Sequence, residues 1–126
     1  MITANSVETL SERIKDILAR EIPRFDVSFN LDEVSRDYKK IVFSKDGSEV
    51  GALLYTVIEK IFFISVFAID AQAAPMVGND CYLWVENEAK KMGCEWLQFE
   101  SPRRAMLRHS IKYGWSIANV KYQKKL

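Results

Sequence analysis

Cysteine, histidine and net charge are all scarce in this chain of 126 residues. Its two cysteines, Cys81 and Cys94, are too few for a disulfide framework. Both lie in apolar surroundings, which points to a reducing, cytoplasmic setting. With a single histidine besides, a four-ligand Cys/His zinc site cannot be assembled. A formal net charge of +1 gives no bulk attraction to nucleic acid or to an anionic membrane. No apolar run is long enough to cross a bilayer. The segment from Met1 to Glu12 is polar and helix-prone, with no basic-then-apolar leader pattern.

What remains is a soluble-type composition, 48% hydrophobic and 28% charged, in a length that suits one domain spanning 1–126. The strongest local signal is Ile61–Ile69, almost unbroken apolar and rich in β-branched and aromatic residues, as expected of a strand buried on both faces. A small-residue stretch follows, Asp70–Pro75. A helix is then expected from about Asn79 to Met92, burying Cys81, Val85, Ala89 and Met92 and stopped by Gly93. Trp96–Phe99 reads as the next strand. This strand–helix–strand order implies parallel strands joined by a right-handed crossover.

Upstream, Ile2-Thr3 is expected to form a short edge strand. A first helix is expected to follow, capped by Ser6 or Asn5, with Val7, Leu10, Ile14, Ile17 and Leu18 at helical spacing and Pro23 at its end. A second helix is expected from Asn30, where Asn30 and Glu33 are spaced like a capping box. Ile41–Phe43 and Val50–Ile58 read as strands, and Asp46-Gly47 between them is a strong hairpin signal. Glu59-Lys60 makes a second tight connection. After Ser101-Pro102, a last helix is expected over 103–112, then a final strand over 115–122.

Several residues invite a functional reading, each beside a plainer one. His109 is the lone imidazole, a general base or simply a polar helix residue. Cys81, near the expected helix start, would gain nucleophilicity there; as a core residue it would be inert. Arg104, Arg108 and Lys112 recur every four residues, so they share a helix face that is either merely solvated or meets a phosphate or an acidic partner. Near-neutral net charge argues against nucleic acid as that partner. The stretch Ala74–Asp80 enters a helix, where amides can hold phosphate. It has one glycine, Gly78, and Asp80 places a negative charge where pyrophosphate would lie.

Element order and local motifs resemble the GNAT superfamily of acyl-CoA-dependent N-acyltransferases. Lys112-Tyr113-Gly114-Trp115 is similar to the "K-x-G-F" that follows the family's last helix. Glu95–Ser101 looks like its fifth strand, and Gly51-Ala52-Leu53-Leu54 resembles its third. The resemblance covers nearly the whole chain at the level of elements. It implies an α/β (α+β) fold: a mixed, mostly antiparallel sheet with helices on both faces and one parallel strand–helix–strand crossover.

The family's chemical motifs are poorly matched. Its acyl-CoA loop reads Q/R-x-x-G-x-G/A, and the corresponding positions here are Pro75, Gly78 and Asp80, of which only Gly78 agrees. The tyrosine that often protonates the departing thiolate is replaced by Ser110, a far weaker acid. Glu59 could serve as base or be a turn residue. The resemblance therefore implies a fold kept and a chemistry lost: no cofactor, and a binding or accessory role with a protein partner or a second copy of the chain. Small GNAT-like proteins similar to this one occur in bacteriophage genomes, some near virion genes, so a virion is an alternative location to the cytoplasm. In the alternative reading the chain is an N-acetyltransferase. Acetyl-CoA would then lie on the amides of Val77, Gly78, Asn79, Asp80 and Cys81, with Glu59 and Ser110 as catalytic groups. No membrane partner is expected.

Overall fold

The computed structural model describes residues 2–21, 36–99 and 125. Five strands form one sheet in sequential order. They are β1 (Ile2–Val7), β2 (Lys39–Lys45), β3 (Ser48–Ile58), β4 (Ile61–Ile69) and β5 (Trp96–Phe99). The pairings from β1 to β4 are antiparallel, and β4 pairs with β5 in parallel. Helix α1 (Glu12–Glu21) covers one face and helix α2 (Ala74–Lys91) the other. The expected mixed sheet, flanking helices and single crossover are all present. The expected helix from Asn30 is described only from Arg36, with Arg36 and Asp37 helical and Tyr38 packing on the α1 side, and everything over 101–124 lies outside the described residues.

Two hydrophobic layers sandwich the sheet. On the α1 side, Leu10, Ile14, Ile17 and Leu18 meet Val42, Ala52, Leu54, Val66 and Ala68. On the α2 side, Val77, Cys81, Val85 and Ala89 meet Ile41, Phe43, Leu53, Tyr55, Phe62 and Ile64. Burying one such Ile, Leu or Phe side chain stabilises the fold by ~1.5–3 kcal/mol. Met92, expected on the buried face of the crossover helix, is 42% exposed because the helix ends before it. Gly93 (φ 79°) closes that end, its N–H donating to the Lys90 carbonyl while Cys94 N–H donates to that of Ala89.

The first helix starts later than its apolar spacing suggests. β1 runs six residues, through the expected caps Asn5 and Ser6. Ile2 and Ala4 pack on the α2 side and Val7 on the α1 side, the alternation of a strand. The cap is Ser11, whose Oγ accepts from Ile14 N–H (3.2 Å) and donates to Glu49 Oε1 (2.7 Å).

Both tight turns form as expected. Lys45 pairs with Ser48 around Asp46 (φ 52°) and Gly47 (φ 81°), and Ile58 pairs with Ile61 around Glu59-Lys60. Two bulges interrupt the sheet. In β3, Val50 is the extra residue between the pairs Ser44–Glu49 and Phe43–Gly51. In β4, Ser65 is the extra residue between Ile64, opposite Tyr55, and Val66, opposite Leu54. The second bulge reverses the facing of β4, so that Phe62 and Ile64 are buried on the α2 side and Val66 and Ala68 on the α1 side.

Candidate functional site

The β4 bulge follows directly on the last described pair between β4 and β5. Ile64 faces Phe99 in the last described rung, and Ser65 follows at once. From Ser65 onward β4 has β3 on one side and, among the described residues, no strand on the other. The carboxyl end of β4 leads into the connection that opens α2. In a crossover sheet this end of parallel strands is where ligands settle.

Backbone donors in that connection are fully engaged. Asp70 N–H donates to the carbonyl of Val50, the bulge residue of β3 (2.7 Å). Ala71 N–H donates to Glu21 Oε1 at the end of α1 (3.3 Å), and Gln72 N–H to Asp70 Oδ1 (3.0 Å). Ala73 and Ala74 N–H both donate to the Asp70 carbonyl, and Met76 and Val77 N–H to that of Ala73. Pro75 has no N–H to give. The run from Asp70 to Val77 therefore leaves no backbone donor pointing outward.

Two of the acceptors are carboxylates, and a cation holds them together. Arg20 Nη2 lies 3.5 Å from Asp70 Oδ2, and Arg20 Nε lies 3.6 Å from Glu21 Oε1. The end of α1 is thus clasped onto the start of the α2 connection, with one more acid than base at the clasp.

The sequence places the helix start too late. α2 begins at Ala74, not near Asn79, with Pro75 in its first turn, where its missing N–H is no loss. Val77, Gly78, Asn79, Asp80 and Cys81 therefore lie in helix, not in an entering loop. The N–H groups from Gly78 onward point back to carbonyls one turn earlier. Asn79 and Asp80 are exposed, while Val77 and Cys81 are fully buried. Burial, followed by the charge of Asp80, pushes the Cys81 thiol up to about 11, so it is a core group and not a helix-start nucleophile.

Glu59 occupies the β3–β4 hairpin corner, exposed and at φ 56°. It is roughly 20 Å from Ser65 along the strand, at ~3.3 Å per residue. Cys94 is half-buried against the α2-side layer. Ser110, His109, Arg104, Arg108 and Lys112 lie outside the described residues. Glu21, Arg20 and Asp70 went unnoticed in the sequence. Asp70 was legible only as a turn residue, and Glu21 reaches Ala71 from 50 positions away.

Away from the clasp, a shallow groove of about 310 Å³ runs between β1 and α2, lined by Ile2, Asp80, Leu83, Trp84 and Asn87. Among the described residues, no group of three or more His, Cys, Asp or Glu side chains could hold a metal ion. Among the same residues, no helix is long and apolar enough to cross a membrane.

Solved structures of similar shape decide the fold. A GNAT family acetyltransferase from Elizabethkingia anophelis with acetyl-CoA bound superposes with a TM-score of 0.74 at 16% identity, over 94% of this chain and 78% of that one. The chain has the GNAT fold. A transcriptional regulator from Bacillus halodurans superposes at 0.70 and 17% identity, over the full length of both chains. An aminoglycoside acetyltransferase from an uncultured soil metagenomic sample, in complex with sisomicin, superposes at 0.69 and 13% identity, covering 99% of this chain and 96% of that one. No family model and no curated protein matches the sequence.

Proposed function

We propose that this chain is a GNAT-fold protein that has given up acyl-CoA chemistry and works by binding a protein partner, in the cytoplasm or on a virion. The observation that carries this reading is the donor inventory between Asp70 and Val77. A GNAT fold meets a diphosphate with unpaired amides at the start of the crossover helix. Here those amides are taken by Asp70, Glu21 and the helix itself, and the nearest surplus charge is negative. A diphosphate would have to displace the Glu21 carboxylate from Ala71 while standing beside the negative charge of Asp70. Isothermal titration with acetyl-CoA tests this. No heat of binding is expected up to millimolar ligand; micromolar affinity would overturn the reading.

One observation favours the second reading, an acyl-CoA-dependent N-acetyltransferase. β4 and β5 run parallel up to the last described pair, Ile64 and Phe99, and acetyl-CoA is bound in the Elizabethkingia structure of the same fold. Acetyl-CoA would then lie against Val77–Cys81, with Glu59 and Ser110 as candidate catalytic groups. Release of free thiol from acetyl-CoA in the presence of an amine would support it.

A further inference from the structure

We infer that the groove between β1 and α2 receives an arginine side chain of a protein partner. This rests on the protein-binding reading above and names what that partner must present. Asp80, Leu83, Trp84 and Asn87 are spaced three or four residues apart along α2, so they share one face of it. Ile2 of β1 forms the other wall of the groove. Leu83 is 44% exposed, so the apolar floor lies open. The described residues that lead into 22–35 and 100–124 stand away from it: Glu21 and Tyr38 on the α1 side, and Phe99 on β5 at the far end of the sheet order.

The charge of the groove says what fits it. Asp80 is the seventh residue of α2, too far along to cap the helix. No lysine or arginine lies three or four positions from it, and among the described residues its carboxylate has no ion pair and no hydrogen bond. A lone carboxylate set into an apolar face calls for a cation with an apolar body. Trp84 adds an independent feature. Its ring is held edge to face against the buried Phe43, at 5.5 Å and 82°, and it lies one helical turn, roughly 6 Å, from Asp80. Arginine meets both groups at once. Its planar guanidinium can fork onto the Asp80 carboxylate and lie on the indole face, while its methylene stem covers Leu83 and Ile2. A lysine ammonium is a point charge and gains only one of the two contacts. A free small molecule fits worse, because a shallow groove of about 310 Å³ cannot enclose most of its surface. The held ring and the fixed helix face also keep the ordering cost of binding low.

NMR titration of the full chain with N-acetyl-arginine amide tests the inference, with the lysine and citrulline analogues as comparisons. Trp84→Phe identifies the indole signal. Saturable movement is expected at the Trp84 indole N–H and at the amides of Asp80, Leu83 and Asn87, with a Kd in the millimolar range for a single side chain. The lysine analogue should bind at least about fivefold more weakly, and the uncharged citrulline analogue more weakly still. Asp80→Asn changes an exposed position, so it should keep the Tm and lose at least about tenfold in affinity. No saturable movement at these signals up to about 100 mM arginine analogue would overturn the inference. So would undiminished binding by Asp80→Asn, or a lysine analogue that binds as well as arginine. Micromolar acetyl-CoA binding would instead overturn the protein-binding reading, and it is measured separately.

Discussion

The ring of Trp84 meets the ring of Phe43 edge to face, with centroids 5.5 Å apart and planes at 82°. Phe67 approaches Phe43 in the same manner at 6.0 Å and 87°. Phe43 is completely buried and ties β2, β4 and α2 together. Phe43→Ala should cost roughly 3–5 kcal/mol, the usual result of emptying a large aromatic site. Trp84→Ala should cost less, because Trp84 is only half-buried. Urea unfolding of the two variants gives the comparison; equal costs would show that Phe43 does not anchor this side.

Gly78 lies inside α2, and a Cβ built there meets nothing within 4 Å. Gly78→Ala should therefore stabilise the protein by about 0.5–1 kcal/mol, since alanine removes the entropic weakness of a mid-helix glycine. A fall in the urea midpoint would show that a Cβ at this position is not accommodated freely.

Gly51 is the opposite case. A Cβ there would sit 2.5 Å from the Ala68 carbonyl oxygen and 2.6 Å from Ile69 Cδ1. The first obstacle is backbone, so relief requires shifting β4. Gly51→Ala should destabilise by about 1–3 kcal/mol, readable as a lower Tm.

The Cys81 thiol, raised by burial and then by Asp80 from 9.0 to about 11, binds its proton more tightly folded than unfolded. Its contribution to stability is complete below the unfolded value. It is lost as pH climbs from about 9 through about 11. The urea midpoint should decline over that window, and less so in Cys81→Ala. At pH 8, iodoacetamide should modify Cys94 well before Cys81.

Removing the clasp should free one amide. In Glu21→Ala, hydrogen exchange at Ala71 should accelerate relative to Ala73 and Ala74, whose acceptor is a backbone carbonyl. Unchanged protection at Ala71 would show that the Glu21 carboxylate is not what holds it.

Much of the architecture was readable because it rests on neighbours in sequence. A near-continuous apolar run marks β4, Asp46-Gly47 supplies positive φ in both turn positions, and Gly93 closes the crossover helix. β1 was underestimated because an edge strand with polar residues at Thr3, Asn5 and Ser6 has little hydrophobic pattern to show. Val7 also happens to lie three residues before Leu10, which imitates a helix. The start of α2 was misplaced because Pro75 and Gly78 read as loop residues, whereas the Asp70 carbonyl nucleates the turn from before the proline. The clasp was invisible for a different reason: Glu21 and Ala71 meet only once the sheet has formed. No local rule pairs them.

Ser65 has one more consequence. By reversing which side of β4 looks inward, a single inserted residue lets one strand serve as a wall shared by two rooms. Deleting it would turn either the front half or the rear half of that wall inside out. Neither half could then be rescued by a conservative replacement at any one position.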